Sequence, residues 1–155
     1  MTLSRRLPLL ALLLAAACFQ PALADGGDAA GGVPSQVLSE QGLYRVELLE
    51  VPEPLPQGEH FSLRLRVVSL DHPETPLSDA KVSVEAGMRH GREQGFAHGM
   101  QSQPVVSDKE DGQKDGVVLV EGLYFHRGGA WTLKLTVDGA DGKDQVWLTL
   151  PCCEG

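Results

Sequence analysis

The chain is poor in basic residues, in aromatics and in cysteine, and each shortage removes a class of function. Thirteen Lys and Arg stand against twenty-one Asp and Glu, a net charge of −8. Nucleic acids and anionic membranes need clustered positive charge, so neither is a partner. Aromatics make up 5% of the chain, which leaves few stacking platforms. After the first two dozen residues no apolar run is long enough to cross a bilayer. Catalytic signatures are missing too. There is no nucleophile elbow with an ordered Ser/His/Asp set, no phosphate-cradling glycine loop and no His-x-x-x-His helix. An enzyme is therefore not expected.

What is present begins with an export signal. Arg5 and Arg6 form a positive n-region, Leu7 to Ala17 an apolar h-region, and Ala22-Leu23-Ala24 a small-x-small cleavage site before Asp25. Residues 1–24 read as a cleaved signal peptide and the mature protein as periplasmic or secreted. Ala15-Ala16-Ala17-Cys18 offers an alternative lipoprotein site, with Ala15 where a Leu is usual. Cleavage after Ala24 removes two Arg and no acid, so the mature charge falls from −8 to −10. An acidic exported surface is compatible with collecting cations.

Residues 25–42 are rich in Gly, Ala, Ser and Asp without periodicity and read as a disordered lead-in. From Tyr44 onward the pattern has period two. Tyr44, Val46 and Leu48 share one strand face; Phe61, Leu63, Leu65 and Val67 give the cleanest alternation, with Ser62, Arg64 and Arg66 opposite. Val82, Val84 and Ala86 make a third strand and Pro104-Val105-Val106 a short edge strand. Val117 onward gives a fifth, Trp131 to Val137 a sixth, and Gln145 to Leu150 a seventh. Pro- and Gly-rich breaks separate them, and no 3.6-residue apolar stripe occurs. This predicts an all-β fold, a single antiparallel immunoglobulin-like β-sandwich of about seven strands over residues 43–151, with 152–155 a Cys-Cys tail.

The third strand runs into the most distinctive stretch, Ala86 to Met100. It holds two of the chain's three Met and two of its five His among four Gly. Thioether and imidazole suit a soft, easily desolvated cation, copper(I) above all. Met88, His90, His98 and Met100 are the candidate ligands. Met88 has core packing as its alternative role; Met100, with no apolar run beside it, is better suited to ligation. If every connection reverses the chain, the Pro52–His60 turn, this loop, the turn at His126 to Gly129 and the end of the last strand share one end. His126 then joins the candidate set, and His72 sits at the far end. Asp108, Glu110, Asp111 and Asp115 form an acidic run whose spacing does not fit a calcium loop.

Cys152 and Cys153 are the only thiols of the mature chain, adjacent and in an oxidising compartment. They are weaker metal candidates. A disulfide between neighbours would be strained and readily reduced; ligation of Cu(I) by the reduced thiols, pairing with another chain and a frayed tail all remain open from the residues alone. Taken together, the predicted function is copper binding or handling outside the cytoplasm. The alternative is a metal-free structural or interaction module, offering a sheet edge to a periplasmic or envelope partner.

The order of motifs resembles the YtkA-like domain family. The residues that carry the likeness are the Met/His loop ending His98-Gly99-Met100, the following Pro104, then Gly122-Leu123-Tyr124-Phe125 and Gly129-Ala130-Trp131-Thr132-Leu133-Lys134-Leu135. FixH-like proteins share the style of Gly-x-Trp strand. The likeness spans Tyr44 to Leu150. It implies a small exported immunoglobulin-like β-sandwich, in a family where some members are suspected of copper handling. The family's loop places Met-Pro before two closely spaced His. Here Arg89 follows Met88, and the His pair is spread by Arg92-Glu93-Gln94, so a preformed metal site does not transfer residue by residue.

Overall fold

The computed structural model describes residues 32–75, 77, 79–89, 95–107 and 116–153. These form nine strands and, among the described residues, no helix. The strands are β1 (Gln36–Leu38), β2 (Tyr44–Glu50), β3 (His60–Ser69), β4 (Lys81–Met88) and β5 (His98–Gly99). They continue as β6 (Val105–Ser107), β7 (Val117–Tyr124), β8 (Gly129–Gly139) and β9 (Gly142–Cys152). Two antiparallel sheets face each other, a five-stranded one in the order β1-β2-β3-β7-β6 and a four-stranded one in the order β5-β4-β8-β9. The fold is the all-β sandwich that the period-two pattern predicts.

Alternation decides which residues go inside. In β3, Phe61, Leu63, Leu65 and Val67 are buried while Ser62, Arg64 and Arg66 keep solvent contact. In β8 and β9 the inward set is Trp131, Leu133, Leu135 and Val137 against Val146, Leu148 and Leu150. Fully burying each such side chain contributes about 1.5–3 kcal/mol. Towards one end the core turns aromatic: Phe125 stacks on Trp131 with ring centres 4.9 Å apart, and Phe61 meets Phe125 edge-on, also at 4.9 Å. At the other end the β8–β9 hairpin closes through Ala140 and Asp141, with Gly139 paired to Gly142.

Two strands exceed the seven expected, and both are short. β5 has two residues, too few to show an alternation. β1 corrects the reading of residues 25–42 as disordered, because from Gly32 onward this stretch is part of the described fold. Gln36, Val37 and Leu38 pair with Glu47, Val46 and Arg45, and Val37 packs on the core. A single apolar side chain leaves no periodic trace, yet the edge of β2 supplies the hydrogen bonds. The tail is corrected as well: Cys152 is the last residue of β9 and is buried at 1% exposure. The acidic run from Asp108 to Asp115 lies outside the described residues, as does everything before Gly32.

Candidate functional site

Because neighbouring strands run antiparallel, β3 and β8 begin, and β4, β7 and β9 finish, at one end of the sandwich. Contacts tie the chain segments there together. Arg127 Nε lies 3.1 Å from Met88 Sδ, Gly58 N–H donates to the Phe125 carbonyl at 2.9 Å, and Cys153 Sγ is 3.4 Å from the Leu55 carbonyl oxygen. His72 lies at the opposite end, 3.9 Å from Asp141 in the turn between β8 and β9.

At the end that carries Met88 and His98, β5 forms the outer edge of its sheet, pairing only with β4. Its register sets Met88 opposite His98 and Gly87 opposite Gly99. Backbone bonds hold the return: Ala97 N–H to the Met88 carbonyl at 2.8 Å and Met100 N–H to the Ala86 carbonyl at 3.1 Å. Directly opposed residues on antiparallel strands share a face, with Cβ atoms about 4.5–5.5 Å apart. Met88 and His98 therefore share a face, while the Met88 side chain leans toward the start of β8, its sulfur against Arg127 and its methyl over Gly129. Met100, two residues beyond His98, is on that same face.

The members of this face differ in exposure. His98 is exposed and Met88 is half-buried. Met100 is only 6% exposed and belongs to the core, which corrects the view that it is poorly placed for packing. Opposite Ala86 it points into the gap between the sheets, where an apolar thioether is at home. His126 is exposed at the turn after β7, its ring edge-on to Trp131 at 5.0 Å. His90 lies outside the described residues. Cys152 and Cys153 are joined in a disulfide.

Two residues absent from the sequence-based candidate set shape the site. Arg127 brings its guanidinium to the Met88 sulfur, while Trp131 Nε1 donates to the Arg127 carbonyl at 3.0 Å and anchors the turn. Gly129 has φ +125°, a left-handed conformation suited to glycine, and a Cβ there would fall 2.7 Å from Met88 Cε. The Gly128-Gly129 pair was the visible signal, but it reads as a turn and carries no hint of which side chain fills the space.

Among the described residues no three His, Cys, Asp or Glu come together as a metal-holding group. The arrangement instead offers one thioether and one imidazole in register, a donor set that fits a soft monovalent cation of low coordination number better than a hard one. Arg127 opposes any cation at Met88 and must swing aside for one to bind.

The fold thus defines a class, the small two-sheet antiparallel β-sandwich. No family model matches the chain, and no curated protein or solved structure matches it either.

Proposed function

We propose that this is an exported copper-handling domain that holds Cu(I) at the open edge of its four-stranded sheet. Met88 and His98 supply the donors, with His126 and His90 as further candidates from the adjoining turn and loop. The observation that carries the reading is the β4–β5 register, which sets Met88 across from His98 on a hydrogen-bonded strand pair. When bound, the ion supplies the cargo and no chemistry of its own. The protein's residues bind it and release it. Membership of the YtkA-like family belongs to the same proposal; the order of motifs from Met88 to Leu135 supports it.

Competition titration of the full chain with a chromophoric Cu(I) chelator tests this. Met88→Leu and His98→Ala should each weaken binding by about tenfold or more, the loss of one soft ligand (about 1.4 kcal/mol per decade). Met100→Leu should leave it nearly unchanged. Weak binding that neither Met88→Leu nor His98→Ala alters would sink the proposal. It would favour the metal-free interaction module, for which exposed Leu38 and Val105 on the edge strands β1 and β6 are the supporting observation.

A further inference from the structure

Cys152 ends β9 and Cys153 follows it, at the same end of the sandwich as Met88. A disulfide between adjacent residues encloses no intervening chain, so it restricts the unfolded state very little and contributes little of the stability that cross-links normally give. The two sulfurs differ in access, Cys152 being 1% exposed and Cys153 half-buried with φ 59°. Both face the connection between β2 and β3: Cys152 Sγ lies 3.9 Å from the carbonyl oxygens of Leu55 and Pro56, and Cys153 Sγ lies 3.4 Å from that of Leu55.

The Gly128-Gly129 turn seats this pair and the thioether together. A Cβ on Gly128 would fall 2.5 Å from the Cys153 carbonyl oxygen, and one on Gly129 would fall 2.7 Å from Met88 Cε. Gly129 is the register partner of Cys152. The Met88 methyl therefore occupies the place of a side chain directly across from Cys152. Met88 Cε and the cysteine backbone thus pack against the same Gly128-Gly129 turn, with the two sulfurs toward Leu55 and Pro56.

We infer that Cys152–Cys153 is a reducible pair that delivers thiolates to the Met88 end, converting a thioether–imidazole site into a tighter thiolate site for Cu(I). The inference rests on the copper reading for its cargo. The reductant is a dithiol. Its thiolate attacks Cys153, the accessible sulfur; the Sγ–Sγ bond breaks, and Cys152 leaves as thiolate. The dithiol's second sulfur then displaces Cys153 and closes its own disulfide. Two electrons pass to the cysteine pair. The dithiol's two protons rest on the two cysteines until a cation takes their place and they go to solvent. Thiolate is the stronger soft ligand, so reduction tightens binding.

The test uses the full chain, half of it as isolated with the disulfide intact and half reduced with a phosphine and desalted under nitrogen. Each half is titrated with Cu(I) alone against the chelator. The reduced form should bind at least about tenfold tighter and show an ultraviolet thiolate-to-copper charge-transfer band that the oxidised form lacks. The Cys152→Ser/Cys153→Ser double variant should show neither the gain nor the band. Because Cys152 is buried, near-ultraviolet circular dichroism establishes that this variant is folded. Met88→Leu in the reduced wild-type background gives a second reading that leaves the cysteines untouched: lowered affinity supports a shared ion, and unchanged affinity overturns one.

No gain on reduction, with the oxidised chain still binding through Met88 and His98, overturns this inference and leaves the copper reading standing. Binding only after reduction, with the band, supports the thiolate site and removes the thioether–imidazole site of the oxidised chain. No binding in either state overturns both.

Discussion

Met88 and Met100 share one chemistry and have different surroundings. Met88 is half-buried, its methyl over Gly129 and its sulfur against Arg127; Met100 is sealed in the core. Sequence pattern pointed the other way for Met100, because a two-residue strand shows no alternation and its neighbours Gly99 and Gln101 say nothing about burial. Arg127 was equally silent, since a charged residue in a glycine turn ordinarily reads as solvated surface. Its guanidinium places positive charge where the proposed cation would sit. Replacing Arg127 with Gln should therefore raise Cu(I) affinity about three- to tenfold at low salt, the gain shrinking as ionic strength rises and screening sets in. Chelator competition across a salt series measures this; a salt-independent effect, or none, would show that Arg127 does not oppose the ion.

Among the elements, β9 carries more than its alternation suggests. Its second inward position is a carboxylate, Asp144, only 1% exposed. The backbone N–H groups of Gln41, Leu43 and Gln145 donate to it at 3.0, 3.3 and 2.8 Å. Burial by itself raises the Asp144 pKa. The Ser39 side chain and these backbone donors outweigh it and hold the carboxyl below its usual value of 3.8. Asp144 is thus the clasp that fastens the β1–β2 turn to the other sheet, and it accounts for order in a segment with almost no hydrophobic signal. Asp144→Asn should cost about 1–3 kcal/mol at neutral pH, because one acceptor becomes a donor facing N–H groups. A depressed folded-state pKa gives stability that is complete above the unfolded value and is lost as pH falls through the lower, folded value. The difference between wild type and variant should accordingly narrow in acid. Urea denaturation midpoints at a series of pH values read it out, and a gap independent of pH would count against the clasp.

For the whole molecule, the placement of ligands follows from strand direction. Alternate connections fall at the same pole, which is why segments as distant in sequence as Leu55, Met88, Arg127 and Cys153 meet there, Leu55 against Cys153 and Met88 against Arg127. The opposite pole holds His72, Asp141 and a cavity of about 260 Å³ lined in part by Ser69, Leu77 and Ala80. The proposed export belongs to this scale as well. The n-region, apolar run and Ala22-Leu23-Ala24 predict that protein recovered after expression begins at Asp25. Intact-mass measurement checks this; retention of residues 1–24, or a lipid-modified Cys18, would contradict it.

Alternating apolar residues, turn-forming breaks and the lack of a helical stripe were enough to specify a two-sheet all-β fold, because period two is a local property that burial of one face enforces strand by strand. They also brought out the Met/His loop as a concentration of soft donors. Register, depth and neighbourhood were decided only in three dimensions. That Met88 opposes His98, that Met100 turns inward, that Arg127 guards a sulfur and that the cysteine backbone packs on the same glycine turn as Met88 all depend on which strands become neighbours. Strand pairing joins residues many positions apart, and no local pattern encodes that distance.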